Sequence, residues 1–352
     1  MMNKDVFKGR GASMSPDNPY LKRREVLAHI EGLDEEKYLN KPQTKFYIEH
    51  TKGGLSKNDS PDLPLNYSVN PYQGCEHGCI YCYARNSHQY WGFDAGLGFE
   101  TNIMVKTNIV EVLRQQFKKK GHQPQAIMLS GNTDCYQPAE RKFKLTRKIL
   151  ELCLEMGHPV SVITKNTLIL RDEDILAKLA DKQLVHVYFS INHLDHQLKA
   201  LLEPRTATGQ KKIAAIKTLT DRGVPCGIMV APIIPALNTT DISDIIQQSA
   251  DAGALAAGYT VVRLNGNVKE VFKHWINEHY PDRATKVLHQ IGQLHGGKLN
   301  DTVWGRRIKG NGVIAEMIHQ IFSTAKQKYM KDRSMPDFNY DAFNPNGQLK
   351  LF

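Results

Sequence analysis

The sequence lacks any segment long and apolar enough to span a membrane, which would require about 20 consecutive apolar residues. Its first ten residues, MMNKDVFKGR, also lack the apolar core of a secretory signal peptide. These features argue against a membrane-spanning or exported protein, and we expect the chain to stay in the cytoplasm. A reducing compartment of that kind suits reactive thiols.

Cysteine is scarce, with six in 352 residues, but three of them lie together. Cys75, Cys79 and Cys82 occur in the segment VNPYQGCEHGCIYCYAR at residues 69–85. Without an export signal, thiols this close more often bind a metal or an iron–sulfur cluster than form a disulfide. Three ligands leave one iron of a cubane cluster open for a substrate or cofactor. The alternative is a structural zinc site closed by His77 or His88.

Acidic residues are fewer than basic ones, 36 against 46, which gives a formal net charge of +10. This excess favours polyanionic partners such as nucleic acid, although it also suits simple solubility. Two basic segments are candidates for phosphate contacts, namely residues 118–120 (KKK) and 306–309 (RRIK).

The hydrophobic pattern predicts three regions. Residues 1–60 are rich in glycine, proline, serine and charge, which indicates an extended, partly disordered arm. Residues 61–266 alternate short apolar runs with amphipathic helices, which predicts an α/β fold, a partial (β/α)6 barrel of parallel strands. Residues 267–352 form a C-terminal helical extension and an irregular tail.

The predicted strands begin at Tyr67 and continue at 125–130, 159–164, 184–190, 225–231 and 255–264. The predicted helices cover 109–120, 140–156, 173–182, 194–202, 210–222, 241–252, 268–279, 283–294 and 313–328.

Polar residues follow several predicted strands, where α/β barrels place their functional groups. Lys165 follows the third strand and can bind a carboxylate. Ser190 and Asn192 follow the fourth strand and suit ribose hydroxyls, and Arg263 ends the sixth. The second strand is followed by a turn that allows close backbone approach and offers hydrogen-bond groups for a charged amine: Gly131, Asn132, Thr133 and Asp134. Each of these residues also fits an ordinary turn, surface or ion-pair role.

The spacing of the three cysteines, with Tyr81 before the third, resembles the cluster loop of the radical S-adenosylmethionine (SAM) superfamily. The ordered segments GNTDCYQPAE, TKNTLILRD, LLEPR and APIIP resemble the branch related to spore photoproduct lyase, and more closely a group of uncharacterised bacterial proteins within it. The resemblance implies a [4Fe–4S] cluster on the cysteines, with SAM chelated at the open iron. It also implies cleavage of SAM to a 5′-deoxyadenosyl radical that abstracts hydrogen, and a reductant such as flavodoxin or ferredoxin.

By the same resemblance, residues 131–134 replace the superfamily's Gly-Gly-Glu segment, which receives the amino group of SAM. Lys165 is then expected near the SAM carboxylate, and Ser190 or Asn192 near the ribose, with Tyr81 also in the cofactor site. These roles are carried over from the superfamily, position by position.

Cys135 is a candidate hydrogen-atom donor, because a thiol can donate hydrogen in a radical enzyme. In the lyase, a cysteine after the second strand returns hydrogen to the repaired thymine dimer. Here Gly131 stands at that position, and Cys135 is offset by four residues. The alternative is a buried packing role, which is common for free cysteines. The resemblance therefore carries over the fold and the cofactor but not the substrate.

We predict a radical SAM enzyme, with nucleic acid as the first candidate substrate because of the net charge and the related branch. Two alternatives stay open. One is a non-catalytic nucleic-acid-binding module stabilised by zinc or by a cluster. The other is a radical SAM enzyme that acts on a peptide or small metabolite.

Overall fold

The structure is a computed structural model that describes residues 9–21, 42–63 and 65–346. Residues 1–8 and 22–41 of the predicted arm, with its expected disorder, lie outside the described residues. In the described part the strands are β1 (Lys45–Glu49), β2 (Ser56–Lys57), β3 (Tyr67–Val69), β4 (Tyr72–Gln73), β5 (Asn102–Lys106), β6 (Ile127–Leu129), β7 (Val160–Thr164), β8 (Val185–Ser190), β9 (Cys226–Ile233) and β10 (Ala256–Val261).

Six of these strands form the predicted parallel sheet in the order β10-β9-β8-β7-β6-β3, and β2 adds an antiparallel strand at the β3 edge. Along β8, Val187 and Phe189 are fully buried in the core. The alternate residues Tyr188 and Ser190 line a central cavity, as the two-residue period of a strand requires. The described residues contain no strand pairing that joins β10 to β2, so the predicted partial barrel is confirmed.

Amphipathic helices cover the outside of the sheet, close to the predicted positions. The predicted helix at 140–156 is divided, because Lys144 adopts a left-handed conformation with φ of 54°. The helices are α1 (Arg85–His88), α2 (Leu97–Thr101), α3 (Ile109–Phe117), α4 (Glu140–Phe143), α5 (Leu145–Met156), α6 (Glu173–Asp181), α7 (His196–Leu202), α8 (Gly209–Thr220), α9 (Ile242–Asp251), α10 (Val268–His279), α11 (Pro281–Leu294) and α12 (Val313–Tyr329). In the described part of the chain, no helix is long and apolar enough to cross a membrane.

A small second sheet was not predicted. In it β5 pairs in parallel with β1 and antiparallel with β4. The sheet ties part of the N-terminal region to the segment that carries the cysteines. It was missed because β1, KFYIE, is short and largely solvent-facing, so it has no apolar run.

The C-terminal region covers the barrel from two sides. Helix α12 packs against α9 on the outer layer. The tail follows, and the Phe338 ring stacks on His186 with ring centroids 3.9 Å apart, while the His186 Nε2 atom lies 2.9 Å from the Pro336 carbonyl oxygen. Because His186 lies at the start of β8, the tail closes the N-terminal end of the barrel.

Candidate active site

A cavity of about 760 Å³ occupies the centre of the barrel and extends to the C-terminal ends of the strands. The three cysteines come from the loop before α1, and many of the other lining residues come from the parallel strands and the turns at their C-terminal ends. The predicted site residues that line the cavity are Cys75, Cys79, Cys82, Tyr81, Gly131, Asn132, Thr133, Asp134, Lys165 and Ser190. The fold thus brings together residues that lie far apart in the sequence.

Two glycines are required at the contact between the cysteine loop and the N-terminal segment. Gly78 has φ of 69°, and a Cβ atom there would lie 2.8 Å from a Glu100 carboxylate oxygen. A Cβ atom on Gly11 would lie only 1.8 Å from the Gly78 carbonyl oxygen. The N-terminal segment can therefore pack against the cysteine loop only if residue 11 is glycine.

Arg85 and Glu100 form a fully buried ion pair beneath the loop, with 2.7 Å between Nη2 and Oε1. Arg85 also donates to the carbonyl oxygens of Gly78 and Cys79 at 3.0 and 2.9 Å. Glu100 accepts from the Gly11 backbone N–H at 2.9 Å. The pair therefore fixes the loop and the N-terminal segment together. The sequence analysis assigned no role to either residue. The only signal for Arg85 was its position directly after the three cysteines.

The three thiols line the same cavity as Lys165. Burial raises the pKa of each thiol above its ordinary value. Burial alone would lower the pKa of the Lys165 ammonium, but Cys79, Glu203 and Asp134 hold that pKa above its ordinary value. The Lys165 cation favours the thiolate forms of Cys79 and Cys82, and the thiolate is the form that binds metal.

Tyr81 is held by a carboxylate that sequence reasoning did not connect with it. Its hydroxyl donates to Oε1 of Glu203, which is fully buried. Lys212 Nζ lies 3.4 Å from Glu203 Oε2, and His193 Nε2 lies 3.8 Å from the same oxygen. Burial alone would raise the pKa of Glu203, but Lys212, His193, Lys165 and the Tyr81 hydroxyl lower it to about 2. Glu203 therefore fixes the Tyr81 ring at the cavity wall.

The LLEPR segment, which follows β8 through α7, supports the cysteine loop from the other side. The Ile80 backbone N–H donates to the Leu202 carbonyl at 3.1 Å, and the Arg205 N–H donates to the His77 carbonyl at 3.3 Å. The Arg205 guanidinium pairs with Glu76 at 3.2 Å. Arg205 therefore acts as an ion-pair partner of the loop.

Asp134 is already engaged within the protein. Its Oδ1 accepts from the Thr164 hydroxyl, and its Oδ2 accepts from the Lys165 backbone N–H, both at 2.7 Å. His77 Nδ1 lies 3.4 Å from Oδ2. Burial alone would raise the pKa of Asp134, but His77 and the Lys165 hydrogen bond lower it to about 2. The carboxylate therefore joins three segments of the site.

The rest of the turn after β6 is also tied to its neighbours. The Thr133 hydroxyl donates to the Tyr72 carbonyl, and the Tyr83 hydroxyl donates to the Gly131 carbonyl, each at 2.6 Å. The Asn132 side chain donates to Ser87 Oγ at 3.1 Å. Among the described residues none donates a hydrogen bond to Asn132 Oδ1, which leaves this oxygen for a ligand.

Two predicted site residues are absent from the described cavity lining. Asn192 is buried beside the cavity, and neither atom of its side-chain amide has a hydrogen-bond partner in the described residues. Cys135 is fully buried in the main core. Its backbone N–H donates to Ser130 Oγ at 2.8 Å, and Thr146 donates to its carbonyl at 2.7 Å. A hydrogen-atom donor needs access to the cavity, and this position of Cys135 instead favours packing.

The two histidines that could have closed a zinc site have other surroundings. His77 contacts Asp134 and Asn166 through its ring nitrogens. His88 stacks on Phe93, and burial lowers its pKa to about 4. Across residues 9–21, 42–63 and 65–346, no three His, Cys, Asp or Glu side chains lie close enough to share one metal ion.

The two basic segments differ in position. Residues 118–120 are exposed after α3, at the N-terminal end of the barrel and away from the cysteines. In the second segment, Arg306 pairs with Asp301, while Arg307 pairs with Asp62 and lines the cavity. Only the second segment therefore reaches the site in the described structure.

The sequence comparison identifies the class. Residues 69–248, half of the chain, match the radical SAM superfamily. An uncharacterized protein of Mycobacterium tuberculosis is 34% identical over 244 residues, which cover 68% of this chain and 72% of that protein. An uncharacterized protein of Methanocaldococcus jannaschii is 30% identical over 216 residues, 61% of this chain and 77% of that protein. The chain belongs to the radical SAM superfamily, as predicted.

The fold is similar to that of spore photoproduct lyase. A point mutant of that lyase has a TM-score of 0.62 at 16% identity over 88% of each chain. A second lyase structure, with bound AdoMet and dinucleoside spore photoproduct, has a TM-score of 0.60 at 16% identity over 84% of this chain and 82% of that one. Radical SAM proteins are enzymes that use SAM with an iron–sulfur cluster, and they need an external reductant.

Proposed function

We propose that the protein is a radical SAM enzyme in which Cys75, Cys79 and Cys82 bind a [4Fe–4S] cluster. The observation that carries the proposal is that the three thiols and Lys165 line the same cavity at the strand ends. When bound and reduced, the cluster and SAM supply a 5′-deoxyadenosyl radical that abstracts hydrogen from a substrate. The chain's own residues bind, orient and enclose the reactants.

Each cavity residue has a role that follows from its contacts. We assign the SAM carboxylate to the Lys165 ammonium and the SAM amino group to Asn132 Oδ1. Thr133 and Asp134 hold the turn that presents Asn132, and Gly131 lets this turn pack on Ser68, because a Cβ atom there would lie 2.6 Å from the Ser68 Cβ. Ser190 and the nearby Asn192 are assigned to the ribose, and the fixed Tyr81 ring forms part of the wall.

The test is anaerobic reconstitution with iron and sulfide, reduction, addition of SAM and chromatography for 5′-deoxyadenosine. We expect the product with dithionite and also with reduced flavodoxin or ferredoxin, the proposed electron donors. A preparation that holds stoichiometric zinc and no iron would instead support the non-catalytic module. A single-stranded oligonucleotide is included in a parallel reaction, in case SAM cleavage needs a bound substrate.

Lys165→Gln should weaken SAM binding without loss of the cluster. The substitution removes a charge-assisted hydrogen bond to the carboxylate, so we expect the Kd for SAM to rise roughly 10- to 100-fold. Isothermal titration of the unreduced, iron-loaded protein measures this change. Lys148→Gln, at an exposed site on α5, is the matched control. An unchanged Kd in Lys165→Gln, with iron content equal to wild type, would remove Lys165 from the cofactor site.

We further propose that the substrate is a nucleic acid. The support is the net charge of +10, the three cations on the cavity wall and the similarity to a lyase whose structure holds a dinucleoside. Binding to single-stranded DNA should fall as salt rises, because phosphate contacts release counterions. Absence of binding even at low salt, despite SAM cleavage, would favour a peptide or small metabolite.

A further inference from the structure

Arg263 is a cation on the cavity wall that has no ion-pair partner among the described residues. It follows β10 and lines the cavity, partly buried. Within the described residues its guanidinium makes no hydrogen bond and no ion pair. A guanidinium offers five N–H donors, so leaving all of them without a protein partner in a half-buried site costs free energy. The sequence allowed Arg263 either an ion pair or a position facing the cavity, and the structure shows the second.

The site of Arg263 is the seam where the partial barrel stays open. The Val261 backbone N–H, at the end of β10, donates to the Ile308 carbonyl at 2.9 Å. Gly305 donates to Asp62 at 2.6 Å, which joins this segment to the residues that precede β3. The seam therefore consists of residues 58–63 and 301–308. Arg263 lies two residues after Val261 and lines the cavity at this seam.

Of the two arginines that line the cavity at the seam, Arg307 has an ion-pair partner, and Arg263 has none among the described residues. Arg307 also lines the cavity, but its Nε lies 2.5 Å from an Asp62 carboxylate oxygen and a second nitrogen donates to Ser60. Asp62 thus neutralises Arg307. Burial and the like charge of Arg307 lower the pKa of Arg263, although Tyr83, Asp62 and Asp301 act in the opposite direction. An anion beside Arg263 would satisfy this side chain.

Apolar side chains also line the cavity at the seam. Leu63 and Leu65 line the cavity from one side of the seam, and Val262 and Ile308 line it from the other. A part of the cavity with apolar walls, in which Arg263 has no ion-pair partner among the described residues, favours a ligand that has a flat or apolar body and an attached anionic group. A nucleotide base with its phosphodiester has this combination.

We propose that Arg263 binds an oxyanion of the substrate, namely a backbone phosphodiester next to the base that reacts. This inference rests on the proposed nucleic-acid substrate and names the group that recognises it. A guanidinium fits a phosphate in a bidentate manner, and the apolar surroundings strengthen the contact. Lys165 is assigned to SAM, so the two cations serve different anions.

The test compares a thymidine trinucleotide that has normal phosphodiesters with one in which both linkages are neutral methylphosphonates. Fluorescence anisotropy at low salt, with the iron-loaded, SAM-bound and unreduced protein, gives both affinities. We expect wild type to prefer the charged trinucleotide roughly 10- to 100-fold, and Arg263→Gln to lose most of this preference. Arg222→Gln should keep it, because Arg222 is an exposed arginine at the opposite end of the barrel. Arg263→Lys should retain part of it.

Three results would overturn the assignment. The first is an Arg263→Gln protein that keeps the full preference. The second is a wild-type protein without the preference, because it binds both trinucleotides equally, binds neither, or binds an acidic peptide in place of the trinucleotides. The third is loss of SAM binding in Arg263→Gln, which would give this residue to the cofactor. Because binding is measured without reduction, these results are independent of whether wild type forms 5′-deoxyadenosine, the test of the proposed radical chemistry.

Discussion

Cys79→Ala should lose both the iron–sulfur cluster and all SAM cleavage. Cys79 is one of three protein ligands assigned to the cluster, and two thiolates alone cannot hold a cubane that already has an open iron. We expect iron to fall from about four per chain to near zero, and 5′-deoxyadenosine to fall to the level of a reaction without enzyme. Cys75→Ala and Cys82→Ala should behave in the same way. Iron analysis, visible absorption and chromatography measure these changes.

The matched controls are Cys153→Ala and Cys226→Ala. Both thiols are fully buried in the main core and are absent from the described cavity lining, so their loss leaves only a small cavity. Such a cavity costs about 1 kcal/mol, and iron and product should stay at wild-type values. Cys135→Ala should also retain the cluster. If Cys79→Ala kept its iron and its SAM cleavage, the assigned ligand set would be wrong.

The barrel could be predicted because its signals are local. Each parallel strand is a short apolar run, and each helix has an apolar face that repeats along the chain. The residues at the strand ends followed from that topology, since parallel strands end on one side of the sheet. Lys165 and Ser190 were predicted in this way, and both line the cavity.

Other parts of the site depend on contacts between distant segments, which have no periodic pattern. Tyr81 and Glu203 are 122 residues apart, and only the folded chain brings the phenol to the carboxylate. Cys135 lies close in sequence to the turn after β6, and its role as a hydrogen-atom donor stays a prediction beside the buried packing role that the sequence also allowed. The chain reverses at Ser130, where φ is 76°, and Cys135 lies in the core beside α5. Distance along the sequence therefore hid the partner of Tyr81.

Arg85→Met should destabilise the folded protein strongly. It leaves the Glu100 carboxylate buried without its cation, and it removes the donors to several loop carbonyls. Removal of one partner of a buried ion pair costs roughly 3–5 kcal/mol. We expect a fall of roughly 10 °C in melting temperature, together with poor incorporation of iron. Calorimetry and iron analysis test both expectations.

Arg114→Met is the matched control, because Arg114 and Glu155 form an ion pair on the surface. Loss of an exposed pair costs at most about 1 kcal/mol, and iron incorporation should not change. Glu100→Gln should resemble Arg85→Met, and the double variant should be less unstable than the sum of the two, because neither charge is then left alone. A strictly additive double variant would mean that the two residues act separately.

The coupling matters for function because the Arg85 donors fix the carbonyls of Gly78 and Cys79, and hence the position of a cluster ligand. A loop held in this way presents its thiols before iron arrives, so the cost of ordering them is met during folding rather than during cluster assembly.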